Sequence, residues 1–192
     1  MTQTILFILV IAIGSFYAIK YGNKAKKDIT NYQENTENQT EQNPYSGIRN
    51  MAFSVTSEQL GLNGIEKDQV FGIISEMDMD GATATVVTFA TGDTSLYLSS
   101  GGGIIGAGQH ESVQKVVKKY VESGQKYLNK GIKIEKAELP KSGMTHFNFL
   151  TDNGIYSIEK HTTELESGKS EFSNLFVELN EVIAQIRMKS GE

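Results

Sequence analysis

The amino-acid sequence predicts an α+β fold: an antiparallel sheet of about five strands packed with two amphipathic helices, carried behind an N-terminal transmembrane helix. Three observations lead there. Thr2 to Ile19 contain no charged side chain. Three two-residue turn signals each separate a pair of β-rich runs. Two later stretches space their apolar residues at i, i+3, i+4 and i+7, the stripe of a half-buried helix.

Within the first stretch, Ile5–Ile13 is wholly apolar. Eighteen helical residues span roughly 27 Å, close to the roughly 30 Å of a bilayer's hydrocarbon core. Tyr17 and Tyr21 suit the interface and Lys20 can snorkel to it. The competing reading is a cleaved signal peptide. It calls for a basic segment before the apolar run, and only the α-amine is positive there, although Ala12, Gly14, Ser15 and Ala18 are small enough for a cleavage site. Residues 1–21 are therefore expected to be an anchor. Lys20, Lys24, Lys26 and Lys27 follow the span directly, so the positive-inside rule puts the remaining chain in the cytoplasm.

Residues 22–50 are expected to be a polar flexible tether. From Asn31 to Asn43, twelve of thirteen residues are Asn, Gln, Glu or Thr. Such a stretch buries too little apolar surface to offset its ordering entropy. The globular domain is expected over residues 51–192, with 13 Lys+Arg against 19 Asp+Glu.

In that domain Asp80-Gly81 separates Val70–Met77 from Thr83–Ala90, and Gly92-Asp93 separates the second run from Thr94–Ser99. Asn153-Gly154 separates Thr145–Thr151 from Ile155–His161. Two-residue turns at these places put Ile74, Val87 and Leu98 side by side with Phe89 and Leu96 on one face. Phe71, Ile73, Val86 and Tyr97 then share the other, so both faces are expected to be covered at least in part. Segment Ile132–Ala137 offers a further strand, and Ser54–Leu60 a short helix.

His110–Leu128 aligns Val113, Val116, Val117, Tyr120, Val121 and Leu128. Glu171–Met188 aligns Phe172, Leu175, Phe176, Leu179, Val182, Ile183 and Ile186, with Ser170 as its N-cap. The order β-β-β-α-β-β-α over about residues 55–190 resembles that of profilin-like and roadblock-type domains, in element order only. That resemblance implies an interaction platform.

Charge and composition narrow the function. The whole chain has 18 Lys+Arg against 23 Asp+Glu, a net of −5, which argues against nucleic-acid binding. With no cysteine, disulfides, thiolate zinc, iron–sulfur clusters and cysteine nucleophiles are excluded.

Ser99–Gly108 is the most unusual segment. Gly101, Gly103 and Gly106 satisfy G-x-G-x-x-G before a helix start, where backbone amides suit an anion. A dinucleotide site needs a parallel β-α-β unit, and this strand belongs to an antiparallel meander. Gly101, Gly102, Gly103, Gly106, Gly108 and His110 are therefore candidates for contact with a ligand or partner, beside the simpler reading of a tight strand-to-helix connection.

Other partial motifs are weaker. Gly168-Lys169-Ser170 has the end of a P-loop, but Thr163 stands where its first glycine belongs. Glu76, Asp78 and Asp80-Gly81 imitate the opening of a calcium loop that would end on Val87 instead of Glu. An Asn153-Gly154 turn puts Phe147, Phe149, Tyr156 and Ile158 on one face, expected to be the core, and on the other places His146 opposite His161, near Glu159, so His146, His161 and Glu159 are candidate metal ligands. A solvated polar face is the simpler reading of the same residues. No complete catalytic constellation is present and no cofactor is expected. The sequence thus predicts a single-pass membrane protein whose cytoplasmic domain binds a protein partner or itself, with a small-ligand binder or enzyme built on Gly101–Gly108 as the alternative.

Overall fold

The computed structural model describes residues 44–190 of the 192. The expected anchor and residues 22–43 of the expected tether lie outside the described residues. Among the described residues no helix is long and apolar enough to cross a membrane.

Three strands open the sheet: β1 (Gly72–Asp78), β2 (Thr83–Phe89) and β3 (Thr94–Leu98). The β1–β2 turn carries Asp80 at φ 52° and Gly81 at φ 99°, the two positive φ values a type I′ turn requires. That turn sets the expected register, with Ile74 opposite Val87. A two-residue strand β4 (Gly103–Ile104) then pairs with β3. Helix α2 (Glu111–Gly124) follows and tightens into a 3-10 segment to Lys130, close to the expected His110–Leu128. Strands β5 (Ile132–Ile134), β6 (Met144–Thr151) and β7 (Gly154–His161) complete the sheet. The short helix α3 (Thr162–Glu166) and the long α4 (Ser173–Ser190) end the domain. Helix α4 begins two residues later than the expected Glu171, so Ser170 stands in the turn ahead of it and not at its N-cap, its Oγ accepting from the Phe172 amide.

The sheet has seven antiparallel strands in the order β4-β3-β2-β1-β6-β7-β5. The expected five strands are therefore joined by β4 and β5, and the two expected helices by α3 and by α1 (Pro44–Phe53). Residues 44–50, expected at the end of the tether, belong to α1. The signal was in the sequence: Tyr45, Ile48, Arg49, Ala52 and Phe53 repeat at i, i+3, i+4, i+7 and i+8.

Helices α2 and α4 cover one face. Val113, Val117, Tyr120 and Val121 of α2 and Leu175, Leu179, Val182 and Ile186 of α4 bury themselves on Ile73, Val86, Phe147 and Phe149. The second face holds Phe71, Ile74, Val87, Phe89, Tyr97 and Leu150, covered by α1 and the loop after it through Tyr45, Ile48, Phe53, Leu60 and Leu62.

Two registers differ from expectation. The β2–β3 connection is longer than Gly92-Asp93: the Phe89 amide donates to the Asp93 carbonyl, and Thr88 pairs with Thr94. This shift of three residues exchanges the faces of β3. Leu96 and Leu98 turn toward the helices, opposite Val86 and Ala84, and Tyr97 turns to the second face, opposite Thr85. Phe71, outside the strand alternation, also joins the second face. In the last hairpin the turn residues are Asp152-Asn153, with Thr151 paired to Gly154. Neighbouring loops hold that turn: the Asn153 amide donates to the Lys67 carbonyl and Ser57 Oγ donates to Asp152. A two-residue shift preserves each face, so Phe147, Phe149 and Ile158 stay on the helix side.

Candidate functional site

The second face carries an unusual row of side chains. Tyr97 of β3, Thr85 of β2, Glu76 of β1, His146 of β6 and Glu159 of β7 stand directly opposite one another across five strands. Sharing one ladder row, they share one face. Glu76 is the lone charge inside the central strand and has 0% exposure. An isolated carboxylate there would cost several kcal/mol of desolvation.

Helix α1 supplies the compensation. Tyr45 and Arg49, one turn apart, lie over the row. Arg49 Nε donates to Glu76 Oε1 at 2.6 Å and its second nitrogen donates to Oε2 at 2.7 Å, a bidentate pair. The same guanidinium donates to the carbonyls of Ala137 (3.0 Å) and Glu138 (3.3 Å) and lies 4.8 Å from the centre of the Phe53 ring. Thr85 Oγ1 donates to Glu76 Oε1 at 3.2 Å. A hydroxyl has one proton, so at its 2.8 Å contact with Tyr45 Thr85 accepts and the phenol donates. Glu76 therefore receives two bonds from Arg49 and one relayed through Thr85.

Electrostatics follow the burial. Desolvation works against the Arg49 charge, and the bonds and field of Glu76 outweigh it, so its pKa is raised. Burial pushes the Tyr45 and Tyr97 phenols up. Tyr97 packs edge-on against Tyr45, ring centres 5.8 Å apart, and its buried hydroxyl has no hydrogen-bond partner among the described residues.

Farther along the row His146 Nε2 meets Glu159 Oε2 at 2.7 Å. His146 is thus brought to Glu159 and not to His161, which stands opposite Met144. The expected His146–His161 pairing fails because the turn sits one residue earlier than Asn153-Gly154. Among the described residues no group of three or more His, Asp or Glu side chains is placed to hold a metal ion. Asp78, from the calcium-loop imitation, accepts the Gly143 amide at 2.9 Å, and Asp80 sits in the hairpin turn.

The glycine-rich segment folds as the edge of the sheet. Leu98 and Gly102 close a turn, the Leu98 amide donating to the Gly102 carbonyl, with Gly101 and Gly102 both at positive φ. Gly103 then approaches β3 so closely that a Cβ would lie 2.6 Å from the Leu96 carbonyl oxygen. Gly106 leads into a 3-10 turn, Gly108 packs on the Gly92 backbone, and His110 precedes α2 without capping it through its side chain. Clefts of about 310 Å³ between α2 and α4 and about 600 Å³ beside Asp68, Lys118 and Gln125 border neither this loop nor the polar row.

Sequence reasoning missed Tyr45, Arg49 and Glu76 as one unit. The two signals were the helical spacing after Pro44 and a single carboxylate within an apolar central strand. No family model, no curated protein and no solved structure matches this chain.

Proposed function

We propose that this chain is a membrane-anchored interaction module, held by residues 2–19 in a single pass with its α+β domain in the cytoplasm. The observation that favours binding over catalysis is the pairing of the ionisable groups in the polar row. Both Glu76 oxygens are taken by Arg49, and His146 is taken by Glu159. A general acid or base needs an open position within reach of a substrate, whereas Arg49 and Glu76 hold a helix against the sheet and His146 and Glu159 tie two neighbouring strands. Anchor and charge pattern support the placement: a charge-free N-terminal run, four lysines after it, and an acidic domain.

The absence of native cysteine makes the test direct. With Lys118→Cys in the full chain, an impermeant maleimide labels only after lysis, and cross-linking in native membranes gives discrete adducts. Labelling of intact cells overturns the topology, and a chain that stays monomeric and uncross-linked overturns the interaction reading. The alternative, a ligand on Gly101–Gly108, predicts a saturable thermal shift with nucleotides, phosphates or divalent cations. Flat curves are expected, because the turn, the β3 approach and the Gly92 contact account for these glycines.

A further inference from the structure

We propose that the second face of the sheet is a helix-binding groove, occupied in cis by α1 and able to take an arginine-bearing amphipathic helix of a partner chain in the same place. This rests on the interaction-module reading and assigns it a surface and a partner chemistry.

The way α1 is held motivates it. The helix presents Tyr45, Ile48, Arg49, Ala52 and Phe53 as one stripe, the anchor spacing of helix-in-groove recognition. Its own propensity is poor. It has ten residues, no acidic residue in its first turn, no basic residue in its last, and a mid-helix Gly47 whose Cβ would meet nothing within 4 Å. Packing does not require that glycine, and a helix this short is marginal alone. The groove, more than the helix sequence, holds α1 in shape.

A release point follows directly. Ser57 Oγ lies 2.7 and 2.9 Å from the two oxygens of Asp152, its one proton shared between them, and pins the chain just beyond α1. Residues 44–56 can therefore leave as a unit while the following loop stays in place.

The uncovered groove would dictate its occupant. Glu76 sits at its floor and needs a cation. Two carboxylate oxygens and the Ala137 and Glu138 carbonyls converge on one guanidinium, a fork that Arg fills and the single ammonium of Lys does not. One turn earlier Thr85 and Tyr97 receive an aromatic hydroxyl and ring. The partner is thus a helix bearing an aromatic residue at i and Arg at i+4. Short tethering gives α1 a high effective concentration, so a rival must be the better helix or arrive when α1 is released.

The test uses the full chain in mild detergent with Tyr45→Ala and Arg49→Met, which releases α1. The probe is a fluorescent peptide of residues 44–55 carrying Gly47→Ala, followed by anisotropy. Saturable binding is expected, about tenfold or more tighter than to the unaltered chain, and about tenfold weaker when the peptide carries Arg49→Lys. Absence of binding to a variant that keeps its strand circular dichroism overturns the proposal, as does equal binding by the Arg49→Lys peptide. Should the variant fail to fold, hydrogen exchange on the unaltered chain decides. Amides of α1 are expected to exchange well before those of β1 and β6, and exchange only together with them overturns it. Discrete cross-linked adducts without peptide binding would leave an interaction module that uses another surface.

Discussion

Removing Arg49 gives the sharpest test of how the second face is held. Arg49→Met strips the cation from a carboxylate with 0% exposure, and breaking a buried pair from one side costs about 3–5 kcal/mol. The chain has one escape: α1 can detach and let water reach Glu76. That route exposes Tyr45 and parts of Ile48, Ala52 and Phe53. An aromatic side chain of 150–250 Å² at about 25 cal/mol per Å² makes it comparably costly, about 4–6 kcal/mol for a full tyrosine. The less costly route sets the loss, about 3–5 kcal/mol. With an m-value of about 2 kcal/mol per molar urea, the unfolding midpoint of the full chain in mild detergent falls by roughly 2 M. Far-UV circular dichroism follows the transition, since the chain lacks Trp. Adding Glu76→Met removes the stranded charge. The double variant then loses the Ala137, Glu138 and Phe53 contacts of Arg49 and the Thr85–Glu76 bond, but no buried charge is left unpaired, and it returns to within about 1–2 kcal/mol of the parent. A midpoint shift below about 0.5 M for Arg49→Met, or a double variant whose loss equals the sum of the singles, refutes the reasoning.

Tyr97→Phe removes a buried hydroxyl that has no partner among the described residues. It is expected to stabilise by about 1 kcal/mol, raising Tm by about 2–4 °C in a thermal melt; a lower Tm would show that the hydroxyl is satisfied. Gly103→Ala drives a Cβ into the Leu96 carbonyl, while at Gly102 a Cβ meets open space and only the positive φ opposes it. Urea unfolding is expected to show a loss of about 1–3 kcal/mol for Gly103→Ala, exceeding that of Gly102→Ala; equal losses count against the β3–β4 pairing. Burial raises the Tyr45, Tyr97 and Tyr120 phenols above their ordinary value of 10.0. The folded state thus favours their neutral forms, and this stabilisation is intact below pH 10 and is lost as pH climbs toward the folded values. Ultraviolet titration is expected to show these three ionising together with unfolding, and a single wave with intact circular dichroism would contradict it.

The helices were legible because each buries one stripe on one sheet, and a repeating stripe is a local property. Val113 to Val121 and Leu175 to Ile186 fell where their spacing put them. The β1–β2 hairpin was legible for a similar reason, since Asp80-Gly81 alone meets the backbone demands of its turn. The other hairpins were not. Thr91 and Asp93 bond to each other across the β2–β3 connection, and Asp152 and Asn153 are held by Ser57 and Lys67 from a remote loop. Register in the last hairpin depends on partners that no window of sequence contains, whereas in the β2–β3 connection local bonding lengthens the turn beyond Gly92-Asp93, and that shift of three residues moved Tyr97 to the second face.

The sequence by itself thus determined the α+β class, both long helices, the first hairpin and the helix-facing core of β6 and β7, because periodicity and turn chemistry are written within a few residues. Only the tertiary structure decided what the second face does. Glu76 and Arg49 lie 27 residues apart; one reads as a charge in a strand and the other as part of a polar tether. Their meaning comes from desolvation, which acts on a group only once the chain has closed around it. Burial makes each charge untenable without the other, and that mutual need joins the first helix to the sheet.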